Sequence, residues 1–193
     1  MPSIPTLSAP LSDGRVELRL AAERDIPEIL IAFQDDPELH LRLGLKRAPS
    51  GAQLGSRSEQ AEAEREAGQH VELTILEPGS DVCRGRVSVQ RLEWKHLRAE
   101  LGIWLAPQVR GRRLGRRALR LAAEWLFSAC GLERVEVQTE PDNEAMLRTA
   151  HAAGFVREGL LRSYVGERGK RRDMAILSLL PSDLEPTTSG PAR

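Results

Sequence analysis

Aromatic residues are scarce: three Trp, three Phe and one Tyr make up 4% of the 193 residues. So few rings, with none interleaved among the basic clusters, argue against a groove that stacks nucleic-acid bases. Cysteine is scarcer, at two. Cys83 and Cys130 cannot build a disulfide framework, and neither has a second Cys or a His at metal-ligand spacing. They are expected to be buried free thiols in a reducing compartment. Excess charge is missing too, since 28 Lys and Arg offset 28 Asp and Glu. A dedicated nucleic-acid or membrane-surface protein would be strongly basic, so any basic patch here is local. No apolar run approaches the roughly 18 residues of a membrane span. Met1-Pro2-Ser3-Ile4-Pro5 lacks the charged start and apolar core of a signal peptide. The expected location is the cytoplasm. No repeat of 20–50 residues is visible, and His40, His70, His96 and His151 are scattered without ligand spacing, so no metal site is expected.

What is present suits one domain of ordinary size, able to bury about 70% of its unfolded surface without a disulfide or metal. Residues 1–10 and 181–193 are rich in Pro, Ser and Thr and read as loose tails around a domain at 11–180. Residues 16–20 alternate apolar and polar, as a half-buried strand does. Residues 23–33 switch to helical spacing, with Ile26, Ile29, Leu30 and Phe33 on one face. Residues 44–69 are polar and rich in Gly and Ser, with a short helix expected at 58–66, and read as a flexible wall for a cleft. Strands are expected at 71–76, 85–92, 100–105, 134–139 and 174–180. Helices are expected at 111–129, closed by Gly131, and at 143–153, closed by Gly154. The succession implies an α/β fold: a mixed sheet with helices on its faces.

The chemistry concentrates where the strand at 101–105 runs into Pro107-Gln108-Val109-Arg110-Gly111-Arg112-Arg113-Leu114-Gly115 and the chain turns helical. A turn of small residues at a helix start offers unsatisfied N–H groups and the positive end of the dipole, which together bind anions. Gly111 and Gly115 remove the Cβ that would hold a ligand away. Arginines around the turn add charge-assisted contacts to phosphate oxygens. A pyrophosphate site between strand and helix is one reading, and a solvated basic helix face is the other. The pattern is neither a P-loop nor the dinucleotide G-x-G-x-x-G.

Arg110-Gly111-Arg112-Arg113-Leu114-Gly115 resembles the acetyl-CoA motif of the GCN5-related N-acetyltransferases (GNAT), Arg/Gln-x-x-Gly-x-Gly/Ala. Arg110 and Gly115 match, and Arg113 stands where the first motif glycine usually lies; an ordinary helical-entry conformation with an outward side chain would accommodate it. Asp142-Asn143-Glu144-Ala145 and Ala153-Gly154-Phe155-Val156-Arg157-Glu158-Gly159 resemble further signatures of the family. Leu160-Leu161-Arg162 and residues 173–179 resemble the last hairpin of its RimJ/RimL branch, and residues 16–44 that branch's first strand and helix. The likeness spans about residues 14–180, with the segments in the correct order.

The resemblance implies a mostly antiparallel GNAT sheet splayed between two central strands, with helices on both faces. Acetyl-CoA would lie in the opening, its arm paired with the backbone of Ile103, Trp104 and Leu105. Its pyrophosphate would meet the amides of Arg110, Gly111, Arg112, Arg113, Leu114, Gly115 and Arg116. Asn143 would bond the arm near the thioester, or serve only as a helix N-cap. The implied reaction is direct attack of an amine on the thioester, which needs a base because only a neutral amine is a nucleophile. Glu100 is the first candidate by its match to a glutamate of related enzymes, an exposed strand-end carboxylate being the alternative; Glu93 and Glu140 are weaker. Met146 occupies the place where relatives carry a proton-donating serine, and Tyr164 is the chain's one tyrosine, which leaves the acid for the departing thiolate unassigned. Trp125 reads as core, and Trp104 as a possible wall of the acceptor cleft.

The expected activity is acetyl-CoA-dependent N-acetylation of a primary amine, foremost the α-amino group of a protein or peptide. A small amine such as an antibiotic or polyamine is the second substrate class, and a silent acyl-CoA sensor is a third function. Expected partners are acetyl-CoA and the amine acceptor, with neither nucleic acid nor membrane, in a chain that could form a homodimer.

Overall fold

The computed structural model describes residues 3–167 and 169–184. One eight-stranded sheet organises them, in the spatial order β1-β2-β3-β4-β5-β6-β8-β7. The strands are β1 (Leu11–Ser12), β2 (Glu17–Leu20), β3 (Val71–Leu76), β4 (Gly85–Glu93), β5 (Arg98–Leu105), β6 (Arg134–Thr139), β7 (Val156–Glu167) and β8 (Lys170–Leu179). Five helices join them: α1 (Ile26–Asp35), α2 (Leu39–Arg42), α3 (Gly51–Glu66), α4 (Leu114–Cys130) and α5 (Glu144–Ala153). Every neighbouring pair is antiparallel except β5 with β6. This is the mixed, mostly antiparallel open sheet that the resemblance implies.

Strand alternation sorts the helices onto two faces. Ile103 and Leu105 approach Gly115 of α4, and Thr149 of α5 approaches the same glycine. Trp104, between them in sequence, points the other way and meets Phe33 of α1, ring centroids 6.4 Å apart. Helices α4 and α5 thus cover one face, and α1, with α3 beside it, covers the other. The α4 face is apolar: Leu73, Val87, Val89, Leu101, Ala118, Leu119, Ala122 and Leu126 are buried there, and Trp125 with them. The α1 face holds polar side chains, with Arg19, Asp25 and Thr74 buried in one hydrogen-bonded group.

Three expectations are corrected. Residues 3–10 are not a loose tail: Ile4 is fully buried, its amide donating to the Arg65 carbonyl while Arg65 donates back to its carbonyl. An isoleucine that finds an apolar pocket and two backbone partners offsets its ordering entropy despite flanking prolines. Residues 51–66 form four turns of helix rather than a flexible wall with a short helix. The cause is local: the Ser50 hydroxyl accepts from the Gln53 amide while the Gln53 side chain accepts from the Ser50 amide, a capping box. The third concerns the backbone of Arg113, in the loop after β5. Residues 181–183 form a single 3-10 turn, and residues 185–193 of the expected C-terminal tail lie outside the described residues.

Candidate active site

Strands β5 and β6 pair for only three residues, Arg98 with Arg134, Ala99 with Val135 and Glu100 with Glu136. Beyond that point β5 stays bonded to β4 as far as Leu105, and β6 to β8 as far as Thr139, but not to each other. The main chain of residues 101–105 therefore keeps an unpaired edge along the opening, which a partner of extended shape can complete as a strand would. Because the two strands are parallel, the loops after both of them lie at the same end of that opening. Open α/β sheets bind ligands at such carboxyl ends.

The loop after β5 is built by its own residues. Arg110 bonds the Leu105 carbonyl through Nε at 3.0 Å and pairs with Asp36 at 2.6 Å. Its guanidinium thus pins the loop to α1's end and is committed within the protein. The amides of Arg110 and Arg112 are committed as well, to Pro107 and Val109 carbonyls at 3.3 Å each. Gly111 (φ 77) turns the chain with open space around the position of a Cβ. No side chain caps the first turn of α4, so its leading amides have no intrahelical acceptor. Arg113 is exposed and has no ion pair among the described residues, and Arg116 Nε is buried without a partner. Arg112 reaches Glu77 at 4.0 Å, so among the described residues it is Arg113, Arg116 Nε and the leading amides of α4 that converge here without a protein anion.

Arg113 does not adopt the ordinary helical-entry conformation expected for it. Its backbone is left-handed, φ 66 and ψ 8, the region that costs a side chain roughly 1–2 kcal/mol and costs glycine nothing. The loop keeps the shape a glycine would give it, and the arginine bears the strain. Gly115 has the opposite character. A Cβ there would sit 3.1 Å from Thr149 and 3.3 Å from Leu105, so this glycine lets α4 pack on β5 and α5. Leu114 is buried beside it. Asn143 is likewise engaged by the protein: its Oδ1 accepts from the Met146 amide at 3.2 Å and its Nδ2 donates to Thr139 Oγ1 at 3.0 Å. That is the N-cap alternative, placed where β6 ends.

Glu100 occupies the last paired position before the strands part, 7% exposed rather than a solvated strand end. Gln90 Nε2 donates to its Oε1 and Arg91 to its Oε2, both at 2.9 Å. Burial pushes its carboxyl above the ordinary range; Gln90 and Arg91 pull it back only in part, and the nearby Glu136 charge pushes it further up. The carboxylate is thereby a stronger base than a solvated one. A cavity of about 240 Å³ opens beside it, lined also by Arg91, Glu93, Arg98, Glu136, Gln138 and Tyr164. Glu93 stands at the rim bonded to Arg98, and Glu140 binds Arg172 away from this lining. Tyr164, 45% exposed, shares the cavity with Glu100, whereas Trp104 packs on Phe33.

Sequence reasoning missed Glu136 and Arg91. Glu136 is brought to Glu100 by strand register, and Arg91 is aimed by a bulge between Gln90 and Glu93; neither leaves a local signal. Cys83 and Cys130 are both pushed up to about 11 by burial, as inert thiols are. Among the described residues no cluster of three or more His, Cys, Asp or Glu could hold a metal. No helix among them is long and apolar enough to cross a membrane.

The acetyltransferase (GNAT) domain family matches residues 15–156. The chain belongs to this family, and it is an N-acetyltransferase by that membership. It is 27% identical over 170 residues to the uncharacterized N-acetyltransferase YoaA of Bacillus subtilis, covering 88% of this chain and 96% of that one. Among solved structures it resembles the ribosomal-protein-S5-alanine acetyltransferase of Vibrio fischeri (TM-score 0.78, 21% identity, 93% of this chain and 100% of that). It also resembles Mycobacterium smegmatis RimJ in complex with CoA-disulfide (TM-score 0.77, 24% identity, 92% and 88%). GNAT enzymes use acetyl-CoA, and the opening between β5 and β6 suits it: an unpaired strand edge for an extended arm and an unsatisfied cationic turn for a diphosphate.

Proposed function

We propose that the protein transfers the acetyl group of acetyl-CoA to the α-amino group of a protein or peptide. The observation that carries this reading is the end of β5–β6 pairing at Glu100 and Glu136. It leaves a strand edge that leads from an uncapped, arginine-rich turn to a buried carboxylate. The neighbours named as ribosomal-protein acetyltransferases support the acceptor class.

Gly111 and the leading amides of α4, with Arg113 and Arg116, would hold the diphosphate, and the edge of residues 101–105 would hold the arm. Acetyl-CoA supplies the activated acyl group. The Glu100 carboxylate, which lines the cavity, takes the proton of the incoming amine, directly or through water. An α-amino group has an ordinary pKa of about 8 against about 10.4 for lysine, so a carboxylate raised by burial is better matched to the former. Asn143 keeps α5 and the end of β6 in place.

The test is release of free thiol from acetyl-CoA, followed with short peptides bearing a free N-terminal alanine or serine, a peptide whose one amine is a lysine side chain, and polyamines. Turnover is expected with the first group, at a kcat/KM at least tenfold above the others. Preference for polyamines or lysine would overturn the acceptor assignment.

A further inference from the structure

Arg91 is an exception in its strand. Its backbone is left-handed, φ 50, at the bulge where the register of β4 on β5 slips between Gln90 and Glu93. A bulge re-aims a side chain, and a costly left-handed conformation at a non-glycine residue persists only where its surroundings hold it. Here the guanidinium is held at two points. Nη1 donates to Glu100 Oε2 at 2.9 Å and to Gln138 Oε1 at 3.1 Å. Glu100 belongs to β5 and is its last residue paired with β6, and Gln138 belongs to β6, two residues past the last pair. Arg91, from a third strand, therefore spans the gap where backbone bonds between the two have ceased.

We propose that Arg91 is a positioning residue for acetyl transfer: it ties Glu100 to Gln138 across the mouth of the parted strands and so fixes the carboxylate that receives the amine's proton. The inference rests on the reading of Glu100 as that base. The charges around Glu100 leave the task to Arg91. From β6, Glu136 faces it but is met by Arg134 at 2.6 Å and Arg98 at 3.6 Å. Glu93 is taken by Arg98 at 2.7 Å. Tyr164 of β7 lines the cavity, and β8 contributes the uncharged Ile176. Among the described residues, Arg91 is the one cation within ion-pairing distance of Glu100.

Removing the charge leaves burial and the Glu136 carboxylate to act on Glu100 with less opposition, which disfavours its ionised form. The loss of activity must then grow as pH falls, whereas a merely structural role would lower activity by one factor at every pH. The experiment compares kcat/KM across pH for acetyl-CoA and an alanine-initiated peptide in wild type, Arg91→Gln, Arg91→Lys and Glu100→Gln. The titration of Glu100 is followed in parallel by 13C NMR of labelled glutamate carboxyls, a readout that needs neither turnover nor an acceptor. For Arg91→Gln, the activity ratio to wild type is expected to fall about tenfold further on the acid limb than on the plateau, the scale of losing an adjacent opposite charge. Arg91→Lys keeps the acid limb at its wild-type position. A pH-independent ratio for Arg91→Gln, or a lysine variant no closer to wild type than the glutamine one, overturns the proposal. If Glu100→Gln itself shows a flat ratio across pH, the reading of Glu100 as base fails instead. The NMR titration then decides for Arg91: a move to higher pH in Arg91→Gln upholds its hold on the carboxylate, and an unmoved titration refutes it.

Discussion

Asp25 and Glu100 lie on the same face of the sheet, both buried and both bonded to an arginine, yet their acidities move in opposite directions. Asp25, 1% exposed, accepts from Arg19 twice (2.6 and 3.1 Å), from Thr74 at 2.6 Å and from the Ala22 amide at 3.0 Å. Burial alone would raise its carboxyl, but these donors outweigh it and hold Asp25 below its ordinary value. Glu100 has two side-chain donors and a like charge nearby, and stays above its ordinary value. The number of donors separates a carboxylate that fastens the start of α1 to β2 and β3 from one left more basic than usual. The same contrast recurs at the start of α4. Space around Gly115 is filled by Thr149 and Leu105, whereas Gly111 faces none. Where the protein satisfies its own groups it builds the fold; where it does not, donors stay open to a ligand.

The largest expected effect is at Asp25. Asp25→Asn leaves the buried Arg19 charge with the exposed Asp81 (2.9 Å) as its remaining carboxylate partner and should cost about 3 kcal/mol, the lower end of the penalty for breaking a buried pair from one side; urea denaturation measures it. The sign in pH follows from the lowered folded value. Asp25 stabilises fully above its unfolded value near 3.8 and loses that contribution as pH falls through its folded value. Glu100→Gln should behave inversely, lowering kcat/KM by roughly 100-fold, the scale of a lost general base, with no loss of melting temperature. Since the folded value of Glu100 is raised, its ionised form costs stability at neutral pH, and any gain in Glu100→Gln shrinks as pH falls toward 4.5. A parallel fall in stability and activity for Glu100→Gln would erase the distinction between the two carboxylates.

Smaller effects sharpen the contrast at α4. Gly115→Val forces methyl groups against Thr149 and Leu105 and should destabilise by about 2 kcal/mol through overpacking, seen as a lower denaturation midpoint. Arg113→Gly should do the reverse, gaining about 0.5 kcal/mol once backbone strain relieved is set against added freedom of the unfolded chain. It should also weaken acetyl-CoA binding severalfold by calorimetry, because a free cation is removed from the turn.

Much of this was legible in the sequence, because period and punctuation are local. The strands at 71–76 and 134–139 agree with the expected bounds, and Gly131 and Gly154 close their helices with left-handed backbones as expected. The start of α3 was also written locally, in Ser50 and Gln53, but Gly51 and Gly55 obscured it. What could not be read depends on register and packing. Glu136 meets Glu100 only through parallel pairing, Arg91 through a bulge, and Ile4 is held by Arg65, 61 positions away. The arginine-rich turn was visible as composition, but not which of its donors the protein consumes.

The most direct measurement is a crystal structure of the protein grown with CoA. The diphosphate is expected on Gly111 and the first-turn amides of α4, with the arm running along residues 101–105 and the thiol approaching Glu100. A nucleotide lodged on another face, with that turn and strand edge untouched, would contradict this placement.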